Sequence, residues 1–132
     1  MACVTWPLLH QQPRVQMVLT LAGGGQQVTR DLLADTGAGT ATAGFELLLD
    51  ESDCLLCGGI PTRQIILGGA YKGSYPVYLV RVQVPGLAFD HRLRVVGIST
   101  PPAGLDGIAC FRFLNRFTYG NFGDPGQFGL ET

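Results

Sequence analysis

Charge is scarce in this chain. Only 14% of its 132 residues are Asp, Glu, Lys or Arg, and they sum to a formal net charge of -1. At 46% hydrophobic content it is not a disordered tail. It also lacks the positive surplus with which proteins neutralise nucleic-acid phosphates, so nucleic acids and other polyanions are not expected partners. Long apolar runs are missing too: nothing approaches the roughly 20 consecutive apolar residues that span a bilayer, and no membrane partner is expected. Residues 1–10 (MACVTWPLLH) have no basic n-region, no apolar run of signal-peptide length and no small-residue cleavage site. The expected location is cytoplasmic.

Metal ligands are few. The two histidines, His10 and His91, stand apart from the four cysteines, Cys3, Cys54, Cys57 and Cys110. Cys54-x-x-Cys57 has the spacing of half a zinc site, but no second pair follows. Structural thiols are the first reading and a metal or redox module the second. Without a secretory signal a disulfide framework is the weaker use of these residues. No metal site and no cofactor are expected.

Glycine and proline, by contrast, are plentiful at 19 and 8. They mark many tight turns and favour short strands over long helices, which points to an all-β or β-rich fold. The length fits one domain, 1–132, with a real core, yet is small for an enzyme whose cleft lies between two lobes. A site shared between two copies is therefore a natural possibility.

Residues 15–21 (VQMVLTL) read as a strand, residues 22–25 as a turn, and residues 26–34 as the returning strand that carries Asp35 to its end. Residues 45–49 (FELLL) are too short for periodicity to separate strand from helix. Residues 65–84 form two β-rich arms around a Gly-rich centre, a hairpin with a mobile tip. Residues 92–98 read as a further strand. Cys110, Phe113, Leu114 and Phe117 then recur at i, i+3, i+4 and i+7, the apolar stripe of one short helix. Residues 117–122 and 127–130 look like terminal strand pieces around Asp124-Pro125-Gly126.

Asp35-Thr36-Gly37-Ala38 is the constellation that carries chemistry. A carboxylate that activates water must be held at fixed geometry where substrate can reach it. A strand end followed by Gly lets backbone approach without a Cβ in the way. Thr36 is expected to brace the loop by hydrogen bonding while Gly37 leaves room for substrate. Three residues alone also describe an ordinary turn.

The surrounding order narrows this. An apolar Leu32-Leu33-Ala34 precedes the motif, the Gly-rich hairpin follows it, and Leu105 to Leu114 supplies an apolar pair before a helix. Over roughly residues 15–130 the chain resembles the retropepsin-like aspartic peptidases, the family of retroviral proteases and their cellular and bacterial relatives. The resemblance implies a small all-β barrel with one short C-terminal helix, forming a single lobe of a two-lobe site. It implies an aspartic endopeptidase acting on polypeptides, with Asp35 catalytic and Thr36, Gly37 and Ala38 supporting its loop. Gly68, Gly69, Ala70 and Tyr71 would be the tip of a flap over the substrate. With one such Asp per chain, the site implies a homodimer. Because terminal strands pair between subunits in this family, Trp6, Phe122, Phe128 and Leu130 are candidates for the dimer interface, with core packing an equal alternative. One departure stands out: Cys110 occupies the place where the family usually has Gly close to the active-site loop, and the thiol either crowds that loop or is absorbed by a small backbone shift.

Two other classes compete. Gly97-Ile98-Ser99-Thr100-Pro101 begins like the nucleophile elbow of a serine hydrolase but ends in Pro and has no helix pattern after it. Gly-rich residues 22–25 and 37–40 lack both dinucleotide and P-loop patterns. The stronger rival is a catalytically weak or inactive domain of the same fold that dimerises or binds peptides, since a fold does not settle function.

Overall fold

A computed structural model describes residues 1–132. Ten strands dominate it: β1 (Cys3–Pro7), β2 (Arg14–Thr20), β3 (Gln27–Ala34), β4 (Leu47–Asp50), β5 (Arg63–Leu67), β6 (Gly73–Val84), β7 (Phe89–Ile98), β8 (Gly107–Ala109), β9 (Thr118–Gly120) and β10 (Gln127–Glu131). Two short helices, α1 (Glu51–Leu56) and α2 (Phe111–Leu114), interrupt them. No helix is long and apolar enough to cross a membrane.

Six strands close a barrel in the order β2-β3-β8-β4-β7-β6, with β2 pairing back onto β6 through Val18↔Gln83 and Leu19↔Val82. The strict two-residue alternation of β2 explains how: Val15, Met17 and Leu19 are fully buried while their neighbours are half-buried, so every second side chain fills the barrel. Leu32, Leu47, Leu49, Val80, Val82, Leu93, Val95 and Phe113 complete this interior. A smaller apolar cluster lies on the outer face of β4, β7 and β8, formed by Phe45, Leu48, Val77, Val96, Ile98, Ile108 and Cys110. Strand β5 is not part of the barrel; it pairs only with β6, giving a hairpin that projects over this second cluster.

The barrel is tightest where β8 enters between β3 and β4 in parallel and antiparallel register. A Cβ on Gly107 would stand 2.1 Å from the carbonyl oxygen of Leu48, so only glycine fits. Asp106 locks the entry: its carboxylate accepts the Asp31 N–H at 2.9 Å and its own N–H donates to Asp31 O at 2.8 Å.

The all-β reading holds, with three differences. Residues 45–49 resolve into Phe45-Glu46 followed by β4, continuing into α1, so the chain has two short helices where one was expected. Asp50 caps α1 by accepting the Ser52 N–H at 3.0 Å, and its buried Asp53 accepts two hydrogen bonds from Arg30, at 2.8 and 3.0 Å. The C-terminal helix ends at Leu114 and does not run to Phe117. Arg116 and Phe117 donate their N–H groups three residues back, to Phe113 and Leu114, which tightens the last turn before β9. Phe117 still reaches the core, edge-on to Phe113 and Phe89, so its apolar spacing was a packing signal and not a helical one. Finally, β1 pairs along its length with β10, setting Trp6 opposite Phe128 and Val4 opposite Leu130. Trp6, Phe128 and Leu130 are accordingly buried within their own chain, and among the four terminal candidates only Phe122 is exposed.

Candidate active site

Asp35 stands at the end of β3, where the barrel pins it from both sides. Its N–H donates to Ala109 O at 3.0 Å, and one turn on, Phe111 N–H donates to Ala38 O at 2.9 Å. The loop between is closed by Ala38 N–H to Asp35 O at 3.2 Å and by Gly37 N–H to the Asp35 carboxylate Oδ1 at 2.9 Å. That last bond fixes the carboxylate plane while leaving Oδ2 without a partner in the chain. Space is tight here as well: a Cβ on Gly37 would sit 3.3 Å from Oδ1 and press on the carboxylate. Two residues further on, Gly39 turns the chain at a φ of +74°, a conformation that side chains resist.

Thr36 differs from its expected role. It is exposed and its hydroxyl makes no hydrogen bond within the chain, so the bracing comes from the N–H groups of Gly37 and Ala38.

Asp35, Gly37, Ala38 and Gly39 form one wall of a cleft of about 360 Å³. Phe45, Leu48 and Ile108 form its base, and the turn of the β5–β6 hairpin, Gly68, Gly69, Ala70 and Tyr71, lies across it with Ile66 and Leu67. Of the active-site and flap residues expected from the sequence, Asp35, Gly37, Ala38, Gly68, Gly69, Ala70 and Tyr71 line this one cleft and Thr36 does not. Sequence reasoning did not anticipate Phe45, Leu48 and Ile108, apolar residues in or beside short strands whose consecutive burial is indistinguishable from core packing.

The hairpin turn is fastened lightly. Lys72 N–H donates to Gly69 O at 3.2 Å, and the Tyr71 hydroxyl donates to Thr100 O at 3.0 Å. Burial, and then the neighbouring Tyr75, hold the Tyr71 phenol above its ordinary value, so it stays a proton donor. Thr100, noted in sequence only as part of a failed elbow motif, anchors the tyrosine.

Cys110 is fully buried beneath the Asp35 loop, in the outer apolar cluster. Burial pushes its thiol up to about 12, with the nearby Asp35 charge adding to the effect. Its N–H donates to Glu46 O at 3.0 Å, and the loop bonds on either side of it, from Asp35 to Ala109 and from Phe111 to Ala38, are intact. The thiol is absorbed as a small apolar group. Cys54 is buried in α1, its thiol pushed up to about 12 by burial first and Cys57 second, while Cys57 is half-buried and also raised. Both are free thiols, and no three His, Cys, Asp or Glu side chains come together to hold a metal.

No family model matches this chain, and no curated protein matches it by sequence. A solved structure does. The crystal structure of a retropepsin-like aspartic protease from Rickettsia conorii superposes with a TM-score of 0.60, over 97% of this chain and 89% of that one, at 12% sequence identity. The fold is retropepsin-like. In this chain the β3 end, β8 and the β5–β6 hairpin line one cleft, and that cleft carries one carboxylate, Asp35.

Proposed function

We propose that this chain is an aspartic endopeptidase whose site is completed by a second copy, one Asp35 from each protomer flanking a shared water. The observation that carries the reading is the half-buried Asp35 carboxylate, oriented by Gly37 N–H in a cleft that holds no second carboxylate. Water activation of this kind needs two carboxylates, and a two-fold axis supplies the second from identical residues. Two carboxyl groups that close do not both ionise readily. They share a proton, one acting as base toward the water and the other polarising the scissile carbonyl. The pair titrates as a unit, so activity falls as pH rises and the second proton is lost.

Gly68, Gly69, Ala70 and Tyr71 serve as the flap tip, closing over an extended polypeptide whose backbone pairs with the hairpin. The apolar base, Phe45, Leu48 and Ile108, favours apolar side chains beside the scissile bond. The activity named for the Rickettsia conorii structure supports the same reaction class.

The test is cleavage of an unfolded protein, such as reduced casein, by the wild type and by Asp35→Asn, with sedimentation analysis of both. Cleavage is expected to fall by about 10³-fold or more in the variant, with dimer and fold retained. Activity that survives in Asp35→Asn, or a monomer that cleaves, overturns the reading. Binding of casein without cleavage by the wild type favours the inactive-domain alternative instead.

A further inference from the structure

The overall charge of -1 conceals a local surplus. On the outer face of the barrel a second pocket, of about 240 Å³, is lined by Glu46, Leu79, Arg92, Leu93, Arg94, Arg112 and Arg116. Four guanidinium groups here meet one carboxylate, leaving an excess of three positive charges. Glu46 is buried and engages Arg116 through two bonds, at 2.9 and 2.6 Å, with Arg112 at 3.8 Å; Arg112 also donates to Ala43 O. Arg92 and Arg94 are exposed, and neither guanidinium makes an ion pair or hydrogen bond within the chain. Both project from β7 on one face, and Arg92 lies opposite Arg81 in the β6–β7 register. Like charges so placed repel. Asp90 pairs with Arg81 at 2.7 Å and leaves Arg92 and Arg94 uncompensated.

The pocket adjoins the cleft. Phe45 lines the cleft and Glu46, the next residue, lines the pocket. Leu48, in the cleft base, pairs with Val96, and Arg94 is two residues from Val96 on the same strand face. At the rise of a β-strand that is about 7 Å, or two residues of an extended peptide. The bidentate grip of Arg116 on Glu46 already displays how a carboxylate is held here.

We propose that the arginine pocket is a docking site for acidic side chains of a polypeptide whose neighbouring segment occupies the cleft. This rests on the peptidase reading for what lies in the cleft, and it adds a substrate class: segments with Glu or Asp close to the apolar residues at the scissile bond. Arg92 and Arg94 supply the unpaired charge, and Leu79, 46% exposed, supplies an apolar shelf for the side-chain stem.

The test uses full-length Asp35→Asn protein, which holds peptide without cutting it. Fluorescence anisotropy is read with a labelled short glutamate homopeptide and its glutamine counterpart. The glutamate peptide is expected to bind about tenfold more tightly at low salt, with the preference shrinking as salt is added. Adding Arg92→Gln and Arg94→Gln removes the preference, and Arg92→Glu with Arg94→Glu transfers it to a lysine homopeptide. These arginines are exposed and unpaired, so circular dichroism of the variants should match the parent. Equal binding of the two peptides overturns the proposal, as does a preference that survives the glutamine substitutions. So does free glutamate competing at the peptide's own concentration, or a uridine homopolymer binding more tightly than the glutamate peptide. Casein cleavage by the wild type is a separate readout. Acidic-peptide binding by a protein that cleaves nothing keeps this pocket and removes the peptidase reading; cleavage with no acidic preference does the reverse.

Discussion

The two sides of the cleft are built on opposite principles. On the Asp35 side the loop is tied to the barrel by Asp35 N–H to Ala109 O and by Phe111 N–H to Ala38 O. The glycines there are crowded: a Cβ on Gly37 would press on the Asp35 carboxylate at 3.3 Å, and one on Gly107 would meet a backbone oxygen at 2.1 Å. On the hairpin side, Gly68 and Gly69 have nothing within 4 Å of where a Cβ would be. There the turn is held by one tyrosine hydroxyl and one backbone bond. In the proposed peptidase, the carboxylate that has to keep its orientation sits on the crowded side, and the side that would admit and release a polypeptide is open. Tight and loose backbone packing thus face each other across the cleft, and local opening is expected to be easier on the loose side.

The largest effect follows from the tightest contact. Gly107→Ala drives a methyl group into Leu48 O, and neither strand can yield without opening the barrel at β8. A loss of about 3 kcal/mol is expected in urea unfolding. A loss below about 1 kcal/mol would show that the Asp35 side is as compliant as the hairpin.

The buried thiol beneath the Asp35 loop gives the next effect, and its sign is set by the neutral form. Cys110 titrates near 12 in the folded chain against an ordinary thiol value of 9.0. Below pH 9.0 both states keep the proton and stability is intact. Between 9.0 and about 12 the unfolded chain ionises first, so folding stability falls by about 1.4 kcal/mol for each pH unit from this thiol. Cys54, raised in the same direction, adds its own share. Urea melts across the alkaline range should show a slope smaller by about that amount in Cys110→Ala; an unchanged slope would mean the thiol is not sealed from water.

This thiol also shows where sequence reading reaches its limit. The β-rich fold, the strand ending at Asp35 and the hairpin were legible because each depends on local pattern: alternation in β2, a Gly-rich turn between β-formers, an apolar run ending in Asp-Thr-Gly; closure into a barrel came only with the resemblance. Whether Cys110 crowds the loop was not, because the answer depends on Glu46 and Ala38 arriving from elsewhere in the chain to accept the Cys110 and Phe111 N–H groups. For the same reason α1 went unseen. Its single turn and a half carries too few residues for a period, and it is fixed by the Asp50 cap and by Arg30 of β3 pairing with Asp53. Glu46 and the four arginines were invisible as a group, being scattered over residues 46–116 and averaged away in a net charge near zero.

On the open side, Tyr71→Phe deletes the hydroxyl that ties the hairpin turn to Thr100 while keeping the ring on the outer apolar cluster. Because the site is half-exposed, the stability cost is about 1 kcal/mol or less. The informative readout is local: amide exchange at Gly68, Gly69 and Ala70 should quicken while exchange at Asp35 and Ala38 stays unchanged. Equal acceleration on both sides would mean that the two walls move as one body.

The smallest effect has the opposite direction. Gly68 is extended, at φ -107° and ψ -171°, and its Cβ position is empty, so Gly68→Ala is accommodated in the folded chain. It removes conformational freedom mainly from the unfolded chain, giving a gain of about 0.5 kcal/mol. If hairpin opening limits turnover, the same substitution lowers kcat for casein and leaves the global fold more stable, a pairing of signs that damage to packing does not produce. A loss of stability in Gly68→Ala would place the hairpin turn under the same steric control as Gly107 and erase the distinction between the two sides of the cleft.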